Sequence, residues 1–129
     1  MSNEIETVLS SDAFLVSETD AKGNIIFVND EFCKVAGYTR EELIGKPHSV
    51  VRHKEMPKAA FKDLWDTVKQ DEVWQGYVKN STKLGGYYWV HATVYPYKNE
   101  NKEQCYMSCR RKPSKEDITN VEVLYRTMT

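Results

Sequence analysis

The sequence predicts an α+β domain: a five-stranded antiparallel sheet with short helices on one face, flanked by an N-terminal and a C-terminal helix. Three observations lead there. Two strand-like runs surround a cluster of turn residues near the start, the middle carries helical spacing and helix caps, and three more strand-like runs precede a last helical stripe. The 129 residues, 40% hydrophobic and 29% charged, suit one domain able to bury a core without disulfides. That domain is expected to occupy 1–129, with its core at about 14–112 and an exit helix at about 114–127.

In chain order, residues Glu4 to Leu9 are expected to form a short helix. AFLVSETDAKGNIIFVN then reads as a β-hairpin turning at Asp20, Lys22, Gly23 and Asn24. Asn29 and Asp30 cap a brief helix with Phe32, Val35 and Ala36 on one face, stopped by Gly37. Thr39 to Glu42 is a T-x-x-E capping box, and the helix it starts ends near Gly45. After PHSVVRHKEMP, the segment KAAFKDLWDTVKQ sets Phe61, Leu64, Trp65 and Val68 at i, i+3, i+4, i+7, a helix lying on a core. VWQGYVKNSTK, YYWVHATVYPY and EQCYMSCRR supply the last three strands. Ile118, Val121, Leu124, Tyr125 and Met128 then form a stripe that reads as an exit helix toward a partner.

Charge and cysteine usage exclude several classes. A formal net charge of −1 recruits neither nucleic acid nor an anionic membrane, and no apolar run approaches the ~20 residues of a membrane-spanning helix. Cys33, Cys105 and Cys109 form no CxxC pair, so free thiols and a cytoplasmic setting are expected. Activated nucleophiles, paired carboxylates and a Gly-rich phosphate loop are missing, which argues against an enzyme.

The element order and the words NDEFCKVAGYTREELIGKP resemble a PAS domain. VRH-x-x-MP, the AF-x-D-x-W helix, W-x-G-x-VKN and YWV-x-A are similar to the FAD-binding PAS sensor domains of bacterial aerotaxis receptors, over roughly residues 14 to 125. The resemblance implies an FAD cofactor and a redox-sensing role in aerotaxis or energy taxis, read by a chemotaxis transducer or a receptor signalling segment. It departs where family members carry Asn at the position of Ser49 and Pro-Asp at that of Lys54-Glu55. A flexible lysine in place of a rigid proline affects loop shape.

Strand alternation sends Trp74, Gly76, Val78 and Asn80 toward the core. Asn80 brings an amide that matches a flavin ring edge or, alternatively, is satisfied by backbone. Trp74 supplies a flat surface or ordinary core packing. By resemblance, Arg52 and His53 are the FAD-binding pair, and Asn29, Trp65 and Phe61 are further pocket-side positions. His48 caps a helix start or lines the pocket, and His91 belongs to the outer sheet face. A dinucleotide's pyrophosphate needs cations where the chain meets solvent, which Arg52 and His53 supply.

On the outer face, Tyr87, Trp89, Thr93 and Tyr95 form an aromatic row that something should cover: the N-terminal helix, a second copy in a homodimer, or a receptor segment. Polarity does not orient the last strand. PAS analogy turns Tyr106 and Ser108 inward and brings Arg110 near the pocket, as a reporter of flavin reduction. Two alternatives compete with the FAD sensor: a haem-binding gas sensor, and a cofactor-free interaction module. A blue-light domain with a cysteinyl adduct is disfavoured because VVRHKEMP has no cysteine, and Cys33 reads as core filling.

Overall fold

The computed structural model describes residues 5–128. Strands β1 (Leu15–Asp20) and β2 (Ile25–Val28) come first, followed by helices α1 (Asp30–Ala36) and α2 (Arg40–Leu43). A 3₁₀ turn (His48–Val51) leads to α3 (Lys58–Lys69), then to β3 (Trp74–Ser81), β4 (Tyr87–Lys98), β5 (Gln104–Arg111) and helix α4 (Lys115–Thr127). The strands form one antiparallel sheet in the order β2-β1-β5-β4-β3, so the last strand made lies in the middle. This is the expected α+β arrangement with a five-stranded sheet. Among the described residues no helix is long and apolar enough to cross a membrane.

Local chemistry explains the short elements. The Asn29 carboxamide accepts from the Phe32 amide at the start of α1 and from the Val16 amide of β1, and donates to the Phe14 carbonyl. One side chain thereby caps a helix and ties it to the sheet. Gly37 ends α1 at φ 82°, a conformation that glycine adopts without strain. Both halves of the Thr39–Glu42 capping box are formed. These helices and α3 cover the inner sheet face, burying Phe32, Ala36, Leu43, Ala60 and Val68 against Leu15, Tyr88 and Val90.

The N-terminal segment differs from its expected helix. Among the described residues, 5–10 contain no helical turn. Glu6 bridges Tyr87, with the Thr7 amide donating to the Tyr87 carbonyl and the Tyr87 amide to the Ile5 carbonyl. The start of β4 offers these segments a backbone ladder, which outweighs the weak helical tendency of so short a piece. Glu4 of the expected helix lies outside the described residues.

The outer face is covered from the other end of the chain. Tyr125 of α4 stacks on Trp89 (centroids 6.5 Å apart, planes at 20°) and its hydroxyl donates to the Tyr77 carbonyl at 2.5 Å. Tyr77 in turn donates to Asp117 at 2.9 Å, and Val121 is buried. The stripe expected to reach a partner is therefore largely spent on the chain's own sheet, with Leu124 and Val123 left exposed. Replacing Tyr125 by Ala should loosen α4, lowering stability by about 2 kcal/mol and shifting tryptophan fluorescence to the red as Trp89 meets water. Unchanged emission and melting would show that the stack holds nothing.

Candidate functional site

Between the inner sheet face and the helical layer lies a cavity of about 340 Å³. Its floor has room because several inner positions of neighbouring strands are small: the registers set Ser17 beside Ser108, and Ala92 leaves space across from Arg110. Its roof is α3, which contributes Phe61, Leu64 and Trp65, all half-buried. Trp65 meets Tyr106 edge-on at 5.3 Å. The 3₁₀ turn supplies His48 and Ser49 and leads to Arg52. Apolar walls of this kind suit a flat, largely apolar ligand, and the volume is near the lower end of the roughly 300–1,000 Å³ usual for ligand pockets.

The electrostatics are one-sided. Among the described residues the lining includes Lys22, Arg52, Lys69 and Arg110 and no aspartate or glutamate. Arg110 is 6% exposed and, among the described residues, forms no ion pair with a carboxylate. Its Nε donates to Ser108 Oγ at 2.8 Å, and its Nη2 lies 3.2 Å from His48 Nε2. Asn80 is 2% exposed, and the carboxamide orientation that satisfies its surroundings has Nδ2 donating to the Val51 carbonyl at 3.1 Å and Oδ1 accepting from Arg110 Nη1 at 3.3 Å.

His48 completes this network. Its Nε2 faces the Ser17 hydroxyl at 2.9 Å as well as Arg110. A guanidinium can only donate, so Nε2 must be the accepting nitrogen and the ring neutral. Burial, then the positive charges of Arg110 and Arg52, hold its pKa well below 6.5. Its ring also meets that of Phe32 nearly at right angles, with centroids 5.9 Å apart.

The structure sorts the residues that sequence pointed to. Arg52, His48, Asn80, Trp65 and Phe61 all line the cavity, with the Arg52 guanidinium 3.8 Å from the centre of the Phe61 ring. His53 does not line it: its ring is buried beside Tyr87, and its Nδ1 accepts from the Glu55 amide at 3.0 Å. The Arg52–Asn80 bridge fixes the chain here, so that successive side chains point opposite ways, Arg52 inward and His53 behind the edge of β3. Trp74 lies across Gly76, where a Cβ would fall 2.4 Å from its ring, and donates from Nε1 to Asp63 at 2.9 Å. It braces β3 against α3 outside the cavity wall. The amide of Asn29 is taken up by backbone, as described above.

Ser17, Thr19, Lys22 and Lys69 also line the cavity without having been read as pocket residues from the sequence, and Ser108 lines it as the PAS analogy had it. A signal was available for the first two. Along β1 the buried positions are Leu15, Ser17 and Thr19, so polar residues sit on the apolar phase of the strand. Arg110 turns inward, as the PAS analogy had it, and His91 lies on the outer face against Tyr77.

Known proteins share this architecture. The family described as PAS fold matches residues 25–111. The aerotaxis receptor of Escherichia coli is 48% identical over 122 residues, which are 95% of this chain and 24% of the receptor. The nitrogen fixation regulatory protein of Klebsiella oxytoca is 28% identical over 106 residues, 81% of this chain and 21% of that protein. The chain thus spans about a quarter or less of the length of these relatives. The crystal structure of a PAS domain from a Colwellia psychrerythraea protein superposes with a TM-score of 0.69 at 22% identity, covering 79% of this chain and 87% of that one, a likeness of fold.

The neutral His48 carries a pH signature. The unfolded chain takes up a proton near pH 6.5 that the folded chain refuses until much lower pH, so the unfolded state binds more protons in that window. Stability should be full above about pH 6.5 and fall below it, with a slope approaching ~1.4 kcal/mol per pH unit. Denaturant melts between pH 7.5 and 5.5 should show this slope in the parent and a flatter one in His48→Gln. Equal slopes would place the titration elsewhere.

Proposed function

This chain belongs to the PAS fold family, and we propose that it is an FAD-binding redox sensor domain whose flavin state is passed to a chemotaxis transducer or receptor signalling segment. The domain is a signalling module rather than an enzyme. The observation that carries the proposal is the cavity lined by four cations and no carboxylate, with the Arg110 guanidinium buried and lacking a carboxylate partner among the described residues. A buried cation is costly unless an opposite charge or strong acceptors face it; a flavin ring edge offers carbonyl and ring-nitrogen acceptors when oxidised and negative charge on reduction to the anion.

The residues divide the task. Phe61, Leu64 and Trp65 on one side and Val78, Ala92 and Val94 on the other would enclose a fused ring system. Asn80 and Arg110 would face its polar edge. The cavity is too small for a whole dinucleotide, so the pyrophosphate would leave through the mouth, where Arg52 stands exposed over Phe61. His53, Trp74 and Asn29 would act by holding the turn, β3 and α1 in place. Bound FAD supplies the electron exchange, and the protein supplies position and charge.

Added negative charge on the ring would tighten its hold on Arg110 and weaken that residue's bonds to Asn80 and His48, which sit on β3 and the 3₁₀ turn. β3 carries α4 on its opposite face through Tyr77, giving the change an exit. The haem alternative is less well served. Of the histidines, His48 spends Nε2 on Arg110 and Ser17, His53 lies behind the wall and His91 is on the outer face.

Native protein should be yellow in air and bleach on anaerobic reduction, and the molecule released on denaturation should be FAD. Colourless protein that takes up no added FAD, or a Soret band, would overturn the reading. Arg52→Ala, at the exposed mouth, should weaken FAD retention roughly tenfold with the circular dichroism spectrum unchanged.

A further inference from the structure

Two cations on the lip of the cavity have no task in the site described so far. Lys22, in the β1–β2 turn, and Lys69, the last residue of α3, both line the cavity and are both exposed, which places them at its opening. Neither forms an ion pair among the described residues, although Lys62, Lys79 and Lys83 each hold a carboxylate. Asp20, two residues before Lys22, accepts with Oδ1 from the Lys22 and Asn24 amides. The turn and the helix meet here: Gly23, at φ 86°, lies so close to Trp65 that a Cβ would come 3.4 Å from the indole. Phe61, Trp65 and Lys69 recur every fourth residue along α3, so Lys69 stands about 12 Å along the axis from Phe61, over which Arg52 sits.

We propose that Lys22 and Lys69 form an outer anion subsite that holds the adenylyl phosphate of the dinucleotide and so selects FAD over FMN. The inference rests on the reading of the cavity as a flavin site. FAD and FMN share the ring, the ribityl chain and the first phosphate, so a preference between them must arise from what lies beyond that phosphate. Total charge does not separate them: the phosphate monoester of FMN carries about −2 near neutral pH, and the pyrophosphate of FAD carries much the same charge spread over two phosphates. Position does. Arg52 meets the first phosphate at the mouth, and the remaining exposed cations among the described lining residues are Lys22 and Lys69. A lysine's flexible stem and compact ammonium suit a phosphate that lies at the solvent boundary without a fixed orientation.

The test titrates apoprotein of the parent and of the double variant Lys22→Ala/Lys69→Ala with FAD, FMN and riboflavin, followed by flavin fluorescence. The double variant should bind FAD roughly tenfold more weakly, and FMN and riboflavin as tightly as the parent does. Its FAD affinity should also fall less steeply with added salt. Lys46→Ala, which removes an exposed cation of the neighbouring loop outside the cavity lining, should change none of the three affinities. Unchanged FAD affinity in the double variant would overturn the inference. So would equal losses of FAD and FMN, or a matching loss in Lys46→Ala, which assign the lysines to the first phosphate or to a diffuse field, and so would a loss of riboflavin, which marks a structural fault. In each of these cases the flavin reading stands. A parent protein that takes up no flavin would overturn both.

Discussion

A guanidinium buried in a protein wall with no carboxylate partner among the described residues is the constraint around which this domain is arranged. Desolvating such a charge costs several kcal/mol unless neutral acceptors and an opposing charge or dipole compensate. Here Ser108, Asn80 and His48 supply the acceptors. Two of them are held in turn: Asn80 by the Val51 carbonyl, His48 by Ser17 and the Phe32 ring. The consequence is that β1, β3, β5 and the 3₁₀ turn are coupled at one residue, and nothing can change the charge facing Arg110 without altering bonds on all four.

The two faces of the sheet divide labour. Along the cavity the inner face carries Ser17, Thr19, Ala92 and Ser108 where other sheets would pack large apolar residues, which leaves room beneath α3. The outer face spends Trp89 and Tyr77 on α4, and the backbone of Tyr87 pairs with the N-terminal segment. β3 belongs to both systems: Asn80 and Val78 look inward, and Tyr77 holds Asp117 and Tyr125 outward. A shift of this strand is felt on both sides because alternate residues point opposite ways.

Elements written in local chemistry were legible in the sequence. Asn29, Gly37 and the Thr39–Glu42 box define α1 and α2 within a few residues, and period-two alternation put Asn80 inside and His91 outside. The direction of Arg110 needed the PAS analogy, because β5 carries polar and apolar residues on both faces. His53 was expected at the pocket with Arg52, yet adjacent residues in extended backbone cannot both face one cavity, and the bridge to β3 that fixes the phase is a long-range contact. The helix expected at Glu4 to Leu9 gave way to pairing with Tyr87, again a contact that no local pattern reveals.

The strand order has a consequence for how the chain reaches this state. β5 sits between β1 and β4, so the hairpin near the start stays unpaired along one edge until residues 104–111 have been synthesised. Contacts between distant parts of a chain form slowly, since closing long loops is entropically unfavourable. Nascent chains ending before residue 104 would hold two half-sheets with bare edges and no floor joining them, a form suited to chaperones or to aggregation. Biogenesis of the chamber is thus a single late event, completed by the same strand that delivers its charge.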